Sequence, residues 1–361
     1  MTERFDVAIV GAGMAGASLA AELAGRASVL LLEAEDHPGY HATGRSAAFW
    51  TESYGGKDVL PLTAASGPTL HALGMLKPRG ALTLGREEQR GQVEAFARNF
   101  AAAGIRISVE GRDDLAARVP GLLPGWTVGA WEPDCCDIDV AALHQHYLAA
   151  AAHAGAKLWC RARLTGTAKD AHGWRIDLAD GRSVLCGVLV NAAGAWADEV
   201  AMVAGAKPLG IAPLRRTIAQ LRTAPYAPDN LPLVLDIAER FYFKPEVGRL
   251  WLSPHDEVPS PPSDAAPDEL AIATAIDRFG EVVDWQIEQV ERKWAGLRSF
   301  APDRLPVYGF DPGTPGFFWC AGQGGFGIQT APAAARLAAS LLLGEGAGEV
   351  DPVPYLPDRF A

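Results

Sequence analysis

The stretch Asp6-Val-Ala-Ile-Val-Gly11-Ala-Gly13-Met-Ala-Gly16, followed by an apolar helical run and by Leu31-Leu32-Glu33, decides the fold. It reads as a strand, a Gly-x-Gly-x-x-Gly turn, a helix, a second strand and an acid at the end of that strand. Gly11 permits the tight turn, Gly13 lets a pyrophosphate approach the backbone, and Gly16 lets the helix pack hard on the strand. The helix N-terminus offers unpaired N–H groups to phosphate. Glu33, 17 residues after Gly16, can accept hydrogen bonds from a ribose diol. A glycine triplet alone is a weak signal; the strand–turn–helix–strand context makes this one a nucleotide-binding unit.

Composition bounds the rest. A chain of 361 residues has room for two domains with substantial cores. Hydrophobic residues at 49% and charged residues at 21% are ordinary for a globular enzyme. Lys+Arg number 32 and Asp+Glu 43, a net charge of −11, which argues against nucleic acid or an anionic membrane surface as partner. The first apolar run, Val7–Val10, is too short for a signal peptide, and no segment reaches the length of a membrane span. Cys160, Cys186 and Cys320 sit in strand-like settings, and Cys135-Cys136 are adjacent, not spaced for metal or redox chemistry. An odd cysteine count of this kind points to reduced thiols and a cytoplasmic location. His144 and His146 lie two apart on a helix and cannot share one metal ion.

Along the chain, strands are expected at 4–10 and 28–33, a cofactor-covering loop from His37 to Tyr54, and helices near Leu60–Leu73, Glu87–Ala103, Val140–Ala154, Leu270–Phe279 and Ala331–Leu343. Residues 80–139 read as short strands with one helix, and Asp137 or Asp139 can cap the helix that follows. Alternating stretches at 157–169, 173–178 and 183–187 lead to Leu185–Asn191, a continuous apolar run typical of a buried parallel strand. Thr217–Leu221, Phe241–Lys244 and Arg249–Leu252 look antiparallel, Pro259–Pro267 is a loop, and Phe317–Ala321 is a strand. The expected architecture is α/β: a Rossmann-like nucleotide domain from 1–77, 140–205 and 295–345, an α+β substrate domain with a mixed or antiparallel sheet from 78–139 and 206–294, and a tail over 346–361.

A simple NAD dehydrogenase would complete its nucleotide domain within roughly the first 150–180 residues as consecutive βαβ units. Here nucleotide-type turns recur later. Val190-Asn-Ala-Ala193-Gly194-Ala-Trp196 is a buried strand ending in small residues that could lie against a cofactor. Gly322-Gln-Gly324-Gly325-Phe326-Gly327 leads into a helix whose dipole can stabilise negative charge on a reduced flavin. Together with the first turn they favour FAD.

At this point the chain resembles the D-amino-acid-oxidase-type flavoproteins, among them glycine and sarcosine oxidases, with bacterial D-arginine dehydrogenases the nearest group. The resemblance rests on Gly39-Tyr-His-Ala-Thr-Gly-Arg-Ser-Ala-Ala48, Asp137-Ile-Asp139, Val190–Trp196, Arg215-Arg216, Phe241-Tyr-Phe-Lys-Pro245, Trp294-Ala-Gly-Leu-Arg-Ser-Phe300 and Gln323-Gly-Gly-Phe-Gly-Ile-Gln-Thr330, in order over nearly the whole chain. It implies a flavin held between the two domains and hydride transfer from an amine-bearing carbon to flavin N5. It implies cofactor contacts at Gly11, Gly13, Ala15, Gly16, Glu33, Ala34, His41, Thr43, Gly44, Arg45, Ser46, Ala47, Ala48, Leu164, Ala193, Gly194 and the run Gly324, Gly325, Phe326, Gly327, Ile328 and Gln329. Sarcosine oxidases of this kind tether FAD through a cysteine near the segment reading Ser299-Phe-Ala-Pro-Asp303 here; with no cysteine there, non-covalent FAD is expected.

For the substrate, the resemblance implies Arg298 as a bidentate carboxylate clamp, with Tyr242 and Tyr54 as hydroxyl donors, Arg216 as a second arginine and Gly325 beside the reacting centre. Neighbours on a strand face opposite ways, so Arg216 is expected in the site and Arg215 outside it. Two positions depart from D-arginine dehydrogenases. Their side-chain-recognising acid is Ala81 here, and their loop histidine is Phe49. Without that acid a buried substrate cation lacks a partner, which points to a neutral, apolar side chain; Glu52 is the one nearby replacement acid. The expected reaction is oxidation of a D- or N-substituted amino acid to an imine that water hydrolyses to a 2-oxo acid. A 2-hydroxy-acid dehydrogenase, recognisable by a histidine base within reach of the substrate oxygen, and a non-catalytic flavin-binding subunit are the alternatives. The substrate, the electron acceptor and the oligomeric state are not legible in the sequence.

Overall fold

A computed structural model describes residues 2–346 and 348–361 and builds them on two large sheets. The first is the nucleotide sheet. Arg4–Val10 lies between Ser183–Asn191 and Val29–Leu32, and Lys157–Trp159 follows on the far side, all parallel. Phe317–Ala321 joins the C-terminal half of Ser183–Asn191 in parallel, and Val307–Phe310 pairs with it antiparallel. Leu164–Asp170 and Gly173–Leu178 extend the other edge as antiparallel strands. All four residues of Val29–Leu32 are buried, because helices cover both faces of a parallel sheet. On one face Leu19, Leu23 and Ala151, with Leu337 and Ala338, pack from the helices Met14–Leu23, Val140–His153 and Ala331–Leu343. On the other lie Ala197, Val200 and Ala201 from a short helix, Ala197–Val203.

The second sheet has ten strands. The long pair Ala212–Ala224 and Gln286–Phe300 runs antiparallel from Ala212 opposite Phe300 to Ala224 opposite Gln286. Arg249–Ser253, Tyr242–Glu246 and Leu233–Asp236 continue the sheet, followed by Ala81–Gly85, Val128–Glu132 and Ser108–Gly111. One face is packed under the helix Glu269–Gly280 by Ala219, Leu221, Val234, Phe243, Leu250, Leu252 and Phe279. Side chains alternate along each strand, so the intervening residues share the opposite face: Leu214, Arg216 and Ile218, with Arg298, Ser253, Tyr242, Leu235 and Leu233 on the neighbouring strands. That face looks toward the nucleotide sheet. The edge pair Ser299–Gly324 and Phe300–Gln323 ties the glycine-rich turn to the second sheet beside Arg298.

Most expected elements appear close to their sequence limits, including Leu60–Ala72, Val140–His153 capped by Asp139, Phe317–Ala321 and Ala331–Leu343. Three expectations need correction. Residues 80–139 hold a second helix, Arg112–Arg118, whose single buried residue, Leu115, leaves no apolar period to read. Asp137 does not cap a helix; it pairs with Arg79 and, at 2.8 Å, with the buried Lys244. The C-terminal segment is no loose tail. Its described part forms two 3₁₀ turns, buries Tyr355 with its hydroxyl donating to the Asp58 carbonyl at 2.8 Å, and joins Arg359 to Asp303 at 2.6 Å.

Candidate functional site

One elongated cleft runs between the two sheets, from Glu33 at one end to Arg298 and Arg216 at the other. At the Glu33 end the glycine motif builds the floor. Gly11 has φ +102°, a left-handed backbone region that favours glycine, and a Cβ there would overlap the Ala192 carbonyl. Gly13 is the N-cap of the helix Met14–Leu23 and has no side chain to cap it, and Gly13, Met14 and Ala15 line the cleft. Glu33 accepts the Ala12 N–H at 3.1 Å and the Glu35 N–H at 3.0 Å, which aims its carboxylate along the wall next to Ala34.

The loop over this floor folds onto it through Thr43, whose hydroxyl accepts the Met14 N–H at 2.9 Å. His41 pairs with Glu35 at 2.9 Å and packs against Trp196, with ring centroids 4.6 Å apart and planes tilted by 51°, while Arg45 binds Asp264. His41, Thr43, Arg45, Ser46, Ala47, Ala48, Leu164, Ala193, Gly194, Gly324, Gly325, Gly327, Ile328 and Gln329 all line the cleft. Gly16, Gly44 and Phe326 do not. Gly16 packs against the Gly11 carbonyl, as tight helix–strand packing demands. Gly44 donates its N–H to the Gly39 carbonyl at 2.8 Å and holds the loop from behind. Phe326 turns into an apolar cluster with Tyr54 and Phe300.

At the far end, the shared sheet face delivers Arg216, Ile218, Leu235, Tyr242 and Arg298 into the cleft. Arg298 is fixed on three sides: its Nη2 donates to the Tyr54 hydroxyl, its Nη1 to Glu257 at 2.9 Å, and its guanidinium lies where a Cβ at Gly325 would stand. Arg216, 7% exposed, donates to the Asp256 carbonyl at 2.8 Å, with its guanidinium 5.8 Å from the Tyr242 ring centroid. Arg215 points away and pairs with Asp268 at 2.7 Å. Gln329 braces the Tyr54 loop, donating to the Tyr54 carbonyl at 3.2 Å and to the Thr63 hydroxyl at 2.9 Å.

Sequence reading missed His255 and Glu257. His255 lines the cleft edge-on to Tyr242, with ring centroids 5.6 Å apart, and has φ 58°. Its Nδ1 is buried without a partner. Burial, together with the charges of Arg216 and then Arg298, pushes its pKa down to about 3, so the ring is neutral. No periodicity surrounds either residue; both follow the strand Arg249–Ser253 in a proline-rich stretch.

The surroundings of Ala81 are equally explicit. Ala81 is 4% exposed and clusters with Leu233, Tyr242 and Cys135 under Phe49 and Leu235. Its cross-strand neighbour is an acid, Glu132, but that carboxylate accepts the Thr51 hydroxyl at 2.6 Å, the Glu52 N–H at 3.0 Å and the Ser53 hydroxyl at 2.5 Å. Neither Glu132 nor Glu52 lines the cleft, and burial followed by the Glu132 charge raises the Glu52 pKa.

These residues fit FAD: a side-chain-free floor and helix N-terminus for a pyrophosphate, a carboxylate for a ribose, and a second glycine turn beside the arginine. The family model for DAO, FAD dependent oxidoreductase, matches residues 6–341. A glycine oxidase of Pseudomonas aeruginosa is 31% identical over 198 residues, covering 52% of this chain and 52% of that protein, so the match spans about half of that relative's length. A glycine oxidase of Geobacillus kaustophilus is 26% identical, covering 95% of this chain and 94% of that protein. The crystal structure of glycine oxidase from Geobacillus kaustophilus superimposes with a TM-score of 0.86 at 24% identity, covering 98% of both chains. Fold, cleft and family model agree: the chain belongs to the DAO family of FAD-dependent oxidoreductases.

Proposed function

We propose that the protein oxidises the C–N bond of an amino acid, D-configured or N-substituted, with an uncharged side chain. The observation that carries this reading is Arg298: a guanidinium oriented by Tyr54, Glu257 and Gly325 on the wall beside the second glycine turn. A planar, always-charged fork in that position fixes a carboxylate in angle as well as distance, which brings the α-carbon to one defined place. Tyr242 and Tyr54 would orient the same carboxylate. FAD, when bound, supplies the two-electron acceptor. Phe49, Leu235 and Ile218 surround the space left for the side chain, and among the described residues no acid lines that end of the cleft to pair with a cation. The motif likeness to D-arginine dehydrogenases therefore extends to the carboxylate end and stops at Ala81. In this reading the FAD domain comprises 1–77, 140–205 and 295–345 and the substrate domain 78–139 and 206–294, with the correction that residues 295–300 end a strand of the second sheet, held there by pairing with 212–217; the five free cysteines fit a reducing cytoplasm.

Oxidation of a 2-hydroxy acid has one observation in its favour, His255 in the cleft. An imidazole whose pKa is pushed down to about 3 holds a proton from an alcohol poorly, which favours the amine. The test is an anaerobic screen of D- and L-amino acids, N-methyl amino acids and 2-hydroxy acids, read as bleaching of the flavin. Neutral D- or N-methyl amino acids should bleach it fastest and D-arginine slowly. Bleaching by hydroxy acids alone would overturn the reading, and rapid bleaching by D-arginine would overturn the argument from Ala81.

Among the described residues no cysteine lines the cleft, which supports FAD held without a covalent bond to cysteine. Acid precipitation should release all the flavin into the supernatant; yellow colour retained in the washed pellet would contradict it.

A further inference from the structure

We propose that Glu257 sets the charge selectivity of the substrate site, admitting ligands with one carboxylate and excluding those with two. The inference rests on the reading of Arg298 as the carboxylate clamp. Glu257 is shared by three guanidiniums: Arg298 at 2.9 Å, Arg304 at 2.9 Å and Arg216 at 3.4 Å. The neighbouring acid, Asp256, accepts the Thr217 N–H at 2.7 Å and the Thr217 hydroxyl at 2.8 Å, and stands between Arg215 at 3.6 Å and Arg216 at 4.0 Å. Arg304 is half exposed, so water screens much of its charge.

Arg216 and Arg298 are different. Both line the cleft and both are largely shielded from solvent. With the buried Asp256 set against Arg215, the two cleft arginines, the partly exposed Glu257 and one bound carboxylate sum to zero. A second bound carboxylate would leave an anion beside the shielded arginines without a partner, which disfavours it. The neutral His255 adds no charge to this balance. Removing the Glu257 charge frees Arg216, on the cleft wall beside Tyr242, to take the second carboxylate.

The experiment is calorimetric titration of the FAD-loaded protein with butyrate and with glutarate, which differ by one terminal carboxylate. The wild type should bind butyrate in preference to glutarate. Glu257→Gln keeps the shape and removes the charge; Glu257→Ser removes the charge with less bulk. In both, the ratio of glutarate to butyrate affinity should rise at least tenfold, and adding Arg216→Met to Glu257→Gln should abolish that rise. A ratio unchanged in both single variants, or a gain that survives Arg216→Met, overturns the proposal. These titrations need no turnover, so a failure of the amino-acid reading, seen as absence of bleaching by any amine, is distinguishable from a failure here.

Discussion

Replacing Arg298 with Met lowers kcat/KM for amino acid oxidation by about a thousandfold while the protein keeps its FAD. Truncating one side of a buried, hydrogen-bonded charge pair costs about 2–5 kcal/mol, and roughly 1.4 kcal/mol is a factor of ten. In the proposed reading the guanidinium fixes the ligand carboxylate, so its loss should affect both binding and the alignment of the α-carbon. Arg298→Lys retains the charge but not the planar fork, and should recover only part of the loss. FAD survives because the floor of the cofactor cleft is built by Gly11, Gly13, Glu33 and the loop from His41 to Ala48, on the opposite sheet. Steady-state kinetics with flavin absorbance per protein checks both halves. A variant within a few-fold of wild type would remove Arg298 from the carboxylate site.

Gly11→Ala should have the complementary effect, loss of FAD together with loss of stability. The φ of +102° at Gly11 is strained for any residue with a Cβ, and that Cβ would overlap the Ala192 carbonyl. Ala192 follows directly on the strand Ser183–Asn191, which pairs with Arg4–Val10 along its length, so the clash cannot relax without moving the centre of the nucleotide sheet. Strain and overlap together should cost about 3 kcal/mol or more. The same displacement moves the helix N-terminus at Gly13. Flavin content and the thermal unfolding midpoint are the measurements; a normally loaded, normally stable variant would show that the turn tolerates the shift.

Legibility in the sequence followed local periodicity. The helix Ala331–Leu343 and the strand Phe317–Ala321 have apolar patterns bounded by glycine or small-residue turns, and the structure places them at the expected limits. The helix Arg112–Arg118 has one buried residue, and the helix Ala197–Val203 has three in seven; neither offers enough turns to show a period. Gln286–Phe300 is mostly exposed through its first half, and only its pairing with Ala212–Ala224 makes it a strand of 15 residues. For the site, Arg298 and Tyr242 were visible through the motifs around them. His255 and Glu257 carry no local pattern at all.

By itself the sequence determined the nucleotide unit, because a tight turn, a close backbone approach and a helix N-terminus are local demands met within Asp6–Gly16. It also determined that position 81 carries no charge, since Ala81 encodes none. Tertiary structure alone decided what surrounds Arg298. Which face of the second sheet carries Arg298 is set by register with strands far away in the chain, and whether Glu132 or Glu257 is free to meet a ligand depends on partners that folding brings to it. Charge balance in a buried site is a property of that assembled neighbourhood and is written in no single stretch of residues.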